Sequence, residues 1–361
     1  MYEQIREDAL FIMLYAVVTA MAIIACCYML LRQGNAFAAD ITPPLRLRRW
    51  AAAFFASFAL NHVWYMPILF HIASDDVTMV DHVGGLLDSL TFFPLAIAVM
   101  LVMLQDRRRP LWPAFVMMVP MAGGAAWSVA NNSYGPLPVF YGYALLIGIG
   151  IIIYMVRALR QYERWLRDNY ADLEHKEVWQ SFVVLLIIIL VFVAYAFTIE
   201  GPAYQYAMQV LCIVLICHLL WRVETLSDLS TPAPETRTPE ARTPDNIGLL
   251  LQQHCIDTQL YLQHDLTLAQ LAKAIGTNRT YLGQFFSTQG VTYNAYINGL
   301  RVGHFVGLYQ EAAADHHSFT AQQLALESGF RSYRTFSEAF KRETGQTVTV
   351  WMKMQQAAGA H

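Results

Sequence analysis

GFRSYRTFSEAFKRETG, residues 329–345, decides what kind of structure ends this chain. Residues 331–342 carry four cations and one anion, whereas Phe336, Ala339 and Phe340 recur at the spacing of one helical face. We therefore predict a charged, amphipathic helix that turns these three side chains inward. Such a helix belongs to a water-soluble domain, yet the first two-thirds of the chain has a very different composition.

The chain as a whole is rich in apolar residues. Of its 361 residues, 56% are hydrophobic and 14% are charged, against about 25% charged in an ordinary soluble domain. Crossing a bilayer takes an apolar helix of about 20 residues. Because lipid offers no partner for backbone amides, we predict helices and not strands for such segments. Seven runs qualify: residues 9–31, 50–72, 84–104, 111–130, 137–157, 181–200 and 202–221.

Positive charge is concentrated in alternate loops. Arginines or lysines crowd residues 32–49, 106–109 and 157–176, whereas the segments 73–83 and 131–136 contain none. Basic loops stay in the cytoplasm, which predicts an external N-terminus and a cytoplasmic C-terminal part. We therefore expect a multi-pass protein of the bacterial cytoplasmic membrane. The cytoplasmic segment 157–180 is interpreted as a helical extension with a solvated face, and the alternative that it forms a homodimer stays open.

The composition changes abruptly after Trp221. Residues 222–246 read RVETLSDLSTPAPETRTPEARTPDN, and Thr-Pro occurs three times. Polar, proline-rich sequence cannot bury a core and favours an extended backbone. We predict three parts: a seven-helix membrane domain at 1–221, a flexible linker at 222–246, and a soluble all-α domain at 247–361.

The first helix pair of the soluble domain begins near Leu266. Leu268, Leu271, Ala272 and Ile275 share one helix face, and Gly276 provides a sharp turn. A second helix then places Leu282, Phe285 and Phe286 inward, which is the helix-turn-helix pattern. Five residues are predicted on its outward side: Asn278, Arg279, Thr280, Tyr281 and Gln284.

The opening stretch repeats this arrangement. Leu324 and Ala325 precede the Gly329-Phe330 turn, and the following helix has its own apolar face. A longer helix between the two pairs is expected to hold them at a fixed separation. The outward side of the last helix is predicted to carry Arg331, Ser332, Tyr333, Arg334, Ser337, Glu338, Lys341 and Arg342.

Two such units joined by a helix resemble the AraC/XylS family of bacterial transcription regulators. The resemblance covers about residues 247–354. It rests on the LAxxxG unit at 271–276, on Tyr296-Ile297-Asn298-x-Leu300-Arg301, and above all on the closing GFxSxxxFxxAFKRxxG. The sequence departs from the family after Gly345, where QTVTVWMK replaces the usual proline and aromatic-arginine pair.

The resemblance implies that the second helix of each unit enters the major groove of double-stranded DNA. Arg and Gln have the donor geometry that base edges require. Phosphate contacts instead supply affinity without sequence information, which fits Thr280, Lys341 and Arg342. A purely structural helical domain is the alternative, since residues 247–361 hold eight Lys or Arg against seven Asp or Glu. Carried over, the candidates for base contacts are Arg279, Tyr281, Gln284, Arg331, Tyr333 and Arg334.

Polar residues inside the apolar segments are candidates for sensing a signal, because burying them in lipid is unfavourable. They are Asn61, His62, Asp88 and Glu200, and an unknown small ligand or ion, such as an external cation, amine or proton, is the expected stimulus. We find no catalytic motif and predict neither an enzyme nor a cofactor or metal site. The leading hypothesis is a membrane-tethered, one-component transcription regulator. A transporter or channel gated by its cytoplasmic domain is the alternative.

Overall fold

A computed structural model divides the chain into two compact units. The first contains Met1–Tyr162 and Val178–Ser230, and the second contains Glu163–Glu177 and Thr231–His361. The fifteen residues before Val178 thus belong with the C-terminal part. The structure describes residues 8–32, 35–38, 41–69, 84, 86–131, 137–184, 186–187, 202–229, 247–315 and 319–359.

The regular secondary structure among the described residues of the first unit is helical. The helices that begin in this unit are α1 Ala9–Leu31, α2 Leu45–Leu69, α3 Phe93–Met103, α4 Trp112–Val116, α5 Val119–Asn131, α6 Leu137–Asn169 and α7 Pro202–Thr225. Helix α1 begins after Asp8, whose carboxylate accepts hydrogen bonds from the amides of Leu10 and Phe11. Helices α1, α2 and α7 pack against one another, and a π-helical turn at Asp88–Phe92 leads into α3.

Fewer helices qualify as membrane spans than the sequence predicted. By length and composition, three helices among the described residues can cross a bilayer: Ala9–Leu31, Gly142–Asn169 and Gln205–Thr225. The predicted span 111–130 is two helices, since α4 ends at Val116 and α5 begins at Val119. The predicted span 181–200 lies mostly outside the described residues. A seven-helix bundle is therefore not established by this structure.

Helix α7 continues past the predicted end of the membrane domain. It ends at Thr225, so the first residues of the expected linker are helical. Glu224 is buried at this end, and its Oε1 lies 3.3 Å from Nε of Arg48. Farther on, the Asp228 amide donates to the carbonyl of Thr42 at 3.0 Å. Residues 230–246, with the three Thr-Pro pairs, lie outside the described part of the chain.

The second unit is also helical, as the sequence predicted. A π-helical turn at Gln252–Ile256 and a 3-10 turn at Leu260–Leu262 follow its first helix. An isolated antiparallel bridge joins Tyr170 and Thr267. The helices of this unit are α8 Ile247–Leu251, α9 Leu268–Ala274, α10 Arg279–Thr288, α11 Tyr293–Ala314, α12 Ala321–Glu327, α13 Tyr333–Thr344 and α14 Val348–Gly359.

Two hydrophobic cores confirm the predicted helix faces. The first core contains Leu268, Leu271, Ala272, Ile275, Leu282 and Phe286, with Phe285 partly buried beside it. The second contains Leu324, Ala325, Phe330, Phe336, Ala339, Phe340 and Val348. Helix α11 contributes to both, because its N-terminal half packs in the first core and its C-terminal half in the second. The two helix-turn-helix units therefore share one rigid element.

Both predicted turns need glycine, for different reasons. Gly276 and Gly329 have φ of 74° and 86°, in the left-handed region that side chains rarely adopt. A Cβ at Gly276 would meet open space, whereas one at Gly329 would lie 2.7 Å from the backbone of Leu262. Gly329 thus lets the turn of the second helix-turn-helix unit approach the 3-10 turn that precedes the first helix-turn-helix unit.

Candidate nucleic-acid interface

The first helix-turn-helix unit presents α10, whose N-terminal residues are exposed. Asn278 caps this helix, because its side chain accepts a hydrogen bond from the Tyr281 amide at 2.9 Å. Arg279, Thr280 and Gln284 are exposed, and Tyr281 is half-buried. The predicted residues thus lie on one exposed face, and Asn278 also has a structural role as the cap.

The second helix-turn-helix unit presents α13 in the same way. Ser332 caps this helix by accepting from the Thr335 amide. Arg334 is exposed, and its Nε lies 3.2 Å from Oε1 of Glu338, one turn later. Such an exposed pair contributes little to stability, which leaves the guanidinium able to exchange Glu338 for an external anion. Ser337, also predicted for the outward side, is half-buried.

Tyr333 and Arg331 are more enclosed than the sequence predicted. Tyr333 packs against the second core, with its ring centroid 5.7 Å from that of Phe336. The Arg331 Nη1 atom lies 3.5 Å from a carboxylate oxygen of Asp265, which belongs to the loop before α9. This ion pair joins the start of the second helix-turn-helix unit's α13 to the loop that leads into the first helix-turn-helix unit.

Lys341 and Arg342 are exposed in the last turn of α13. Both are well placed for the negative end of the helix dipole. Arg342 Nη2 also approaches Oδ1 of Asn294, in the first turn of α11, at 3.4 Å. The basic end of α13 therefore lies near the start of the connecting helix.

Arg301 connects the two helix-turn-helix units, although the sequence indicated this residue only as part of a motif. Its side chain is 1% exposed. Nε and Nη2 donate to the carbonyls of Tyr261 and Gln263, both at 2.7 Å, and the guanidinium lies 5.7 Å from the ring centroid of Phe330. Burial lowers the pKa of Arg301. Nothing in its sequence neighbourhood signals this burial.

The docking of residues 163–177 was missed altogether. The sequence predicted a helical extension with a solvated face at 157–180. Helix α6 does continue to Asn169, but Ala171 is fully buried in the first core. Its amide donates to the Leu266 carbonyl at 3.3 Å, and its carbonyl accepts from the side-chain amides of Asn294 and Asn298 at 2.6 and 3.3 Å. This segment is therefore built into the C-terminal helical domain.

Charged residues of the same segment lie close to the predicted DNA-contacting surface. Glu174 Oε2 accepts a hydrogen bond from Oγ1 of Thr335, on α13, at 3.2 Å. Lys176 Nζ lies 3.9 Å from Asp265, the partner of Arg331. Burial lowers the pKa of Lys176, and the nearby carboxylates of Asp172 and Asp265 act in the opposite direction.

The predicted sensing residues are only partly brought together. Asn61 is buried on α2, and its Nδ2 donates to Oδ1 of Asp88 at 2.5 Å. His62 instead faces Gln209, with 3.4 Å between Nε2 and Oε1. Glu200 lies outside the described residues. Within the described part of the chain, no group of three or more His, Cys, Asp or Glu is arranged to hold a metal ion.

Comparison with known proteins supports the domain and is silent on the rest of the chain. A family described as a helix-turn-helix domain matches residues 271–354. An uncharacterized HTH-type transcriptional regulator of Staphylococcus aureus (strain COL) is 28% identical over 98 residues, which are 27% of this chain and 12% of that protein. No solved structure matches. This chain therefore carries a helix-turn-helix domain, of the kind found in DNA-binding transcription regulators, joined to an apolar helical part.

Proposed function

We propose that this protein is a membrane-tethered, one-component transcription regulator of the AraC type. The observation that carries the proposal is the pair of helix-turn-helix units, each with an exposed polar face on its second helix. A single helix-turn-helix pattern is a weak signal, whereas two units on one connecting helix are a much more specific one. The cations of α13 give this surface its electrostatic attraction for DNA.

In this proposal α10 and α13 each enter a major groove of the same DNA face. Arg279 and Gln284 of α10, and Arg334 of α13, are the exposed side chains with the donor geometry for base edges. Thr280, Lys341 and Arg342 are assigned to phosphates. Helix α11 sets the separation of the two reading helices, because it is part of both cores.

The tether consists of the apolar helices that precede the DNA-binding unit. Three described helices have the length and composition of spans, and the proposal extends them to seven, with the N-terminus outside. The alternation of basic and non-basic loops supports this orientation. The proline-rich residues 230–246 would then let the domain reach DNA without release from the cytoplasmic membrane.

Sensing is assigned to the polar pair of Asn61 and Asp88. The contact supports this assignment because placing a carboxylate among apolar helices costs free energy, and such residues are usually functional. Replacing Asp88 by Asn keeps the size and removes the charge. We expect the Asp88→Asn variant to bind DNA normally but to lose its response to external cations or pH in a reporter assay. A normal response in this variant would remove Asp88 from the sensing site.

The decisive experiment crosslinks the full-length protein to DNA in cells and maps the recovered fragments. We expect discrete sites for the wild type and their loss in the double variant Arg331→Ala, Arg334→Ala. A matched pair of single variants separates a local from a general charge effect. Arg334→Ala removes an exposed cation from α13, whereas Lys353→Ala removes one from α14, and only the first should lose sites.

A transporter or channel gated by its cytoplasmic domain makes the opposite prediction. Deleting residues 247–361 would then change substrate flux and leave transcripts unaltered. Recovery of no sites above the double variant, under several growth conditions, would refute the regulator and favour this alternative.

A further inference from the structure

Glu174 lies at the N-terminal end of the second recognition helix. Its Oε2 accepts a hydrogen bond from Oγ1 of Thr335 at 3.2 Å. Thr335 is the third residue after the cap Ser332, so it belongs to the first turn of α13. This end of a helix carries a partial positive charge from the aligned peptide dipoles. A carboxylate is therefore held where the helix favours an anion.

A DNA phosphate is an anion that would compete for the same place. Helix N-termini and first-turn hydroxyls are among the groups with which proteins hold the phosphates beside a recognition helix. Arg331 and Arg334 flank this turn and would add positive charge for the phosphate. Two anions at one helix end repel each other, so a phosphate that binds there would displace Glu174.

We propose that residues 170–176 form an autoinhibitory latch, in which Glu174 takes the place of a DNA phosphate at the N-terminus of α13. This inference rests on the proposed function, because it gives a second state to the same DNA-binding surface. With the latch closed, the second helix-turn-helix unit does not engage DNA. Opening the latch frees the end of α13.

The latch also reaches the first helix-turn-helix unit. Tyr170 forms the antiparallel bridge with Thr267, which is the cap of α9. Asn294 and Asn298, in the first turns of α11, donate to the carbonyl of Ala171. One short segment thus contacts helix N-termini in both helix-turn-helix units, and its release changes the surroundings of both of them at once.

The closed latch contains buried charge that weakens it. Asp172 is 2% exposed, and its Oδ2 atom has no hydrogen-bond partner among the described residues. Lys176 is 7% exposed, and its Nζ lies 3.9 Å from Asp265. A buried carboxylate oxygen without a hydrogen bond offsets part of the stability of a contact. The Asp172 carboxylate therefore lowers the free energy needed to open the latch.

Latch opening controls the apparent affinity for DNA. When only the open fraction binds, the apparent dissociation constant is the intrinsic constant divided by that fraction. Losing a charge at a helix N-terminus changes an equilibrium by about fivefold. We therefore expect a neutral residue at position 174 to tighten DNA binding by about that factor.

The test measures DNA affinity of the full chain in lipid nanodiscs. The probe is random-sequence duplex DNA of about 30 base pairs, long enough for two successive major grooves. Glu174→Gln is compared with Glu163→Gln, which changes the net charge equally at a half-buried position outside the latch. The expected result is about fivefold tighter binding by Glu174→Gln. Equal or weaker binding than Glu163→Gln would overturn the latch.

Hydrogen exchange supplies a second readout that does not depend on a variant. The Ala171 amide is bonded to Leu266 in the closed latch and reports its opening. We expect the amides of 170–176 to exchange faster in the wild type when the duplex is added, and unchanged or slower exchange would overturn the latch. If the wild type binds DNA without these effects, the latch alone fails. If no variant binds DNA, the proposed function fails, and the latch with it.

Discussion

Removal of the Arg301 side chain is expected to uncouple the two helix-turn-helix units. Arg301→Met keeps much of the apolar volume but removes the charge and every donor. The Tyr261 carbonyl, bonded at 2.7 Å in a buried position, then loses its partner. The Gln263 carbonyl also loses a 2.7 Å bond, but Gln263 is exposed and its carbonyl keeps the Leu266 amide at 3.3 Å. Arg301 is 1% exposed, so no solvent replaces the lost donor at Tyr261.

The magnitude follows from these two short bonds. A hydrogen bond to a charged group contributes about 1.5–3 kcal/mol net, and the longer contacts to His264 and Asn298 add less. Two short bonds give about 3–6 kcal/mol, part of which is offset because the Gln263 carbonyl keeps the Leu266 amide and because a buried charge is also removed. We expect Arg301→Met to lower the free energy of unfolding by about 3 kcal/mol, and Arg301→Lys, which keeps the charge, by about 2 kcal/mol.

Pulse proteolysis in urea measures this free energy for the C-terminal helical domain of the full chain. Arg279→Met is the matched control, since Arg279 is exposed and its replacement should change stability by less than about 0.5 kcal/mol. A loss below about 1 kcal/mol in Arg301→Met would refute the reasoning, because the buried Tyr261 carbonyl would then be tolerated without its donor.

Two further outcomes follow from local geometry. Gly329→Ala places a Cβ 2.7 Å from the Leu262 backbone at a φ of 86°, so we expect a loss of about 3 kcal/mol or more. Gly290→Ala has a similar φ of 67° but open space, so its loss should be about 1 kcal/mol by the same proteolysis; equal losses would show that the contact with Leu262 is irrelevant. Burial raises the pKa of the Cys255 thiol to about 11 from an ordinary value near 9. The unfolded chain loses this proton first, so stability is full below pH about 9 and falls by about 1–2 kcal/mol as the pH rises to about 11. Titration of Cys255→Ala, compared with wild type, should lack this part of the decline, and identical curves would contradict the assignment.

The helix faces of the DNA-binding unit were predictable because they depend on local spacing. Leu268, Leu271 and Ala272 recur at helical intervals, and all three are buried as predicted. The turns at Gly276 and Gly329 were predictable for a similar reason, since a left-handed residue favours glycine. The exposed residues of α10 follow directly from the buried ones, because a helix has two sides.

The sequence did not predict the partners of polar residues far apart in the chain. Asn294 lies more than a hundred residues from Ala171, whose carbonyl it binds, and no periodicity reports such a pair. The prediction of seven membrane spans is not confirmed, and three helices among the described residues qualify. Hydropathy detects apolar composition but not the interruption between α4 and α5. Asn61 and Asp88 were singled out one by one, and only the folded chain shows that they touch.

The sequence by itself determined that this chain is all-α, that an apolar part precedes a double helix-turn-helix domain, and which helix faces turn inward. Composition and short-range spacing are sufficient for these conclusions, because each depends on residues within a few turns of one another. Only the tertiary structure decided that Arg301 is buried between the two helix-turn-helix units and that residues 170–176 dock beside α13. These arrangements depend on backbone carbonyls and helix ends, whose positions in space exist only once the chain has folded.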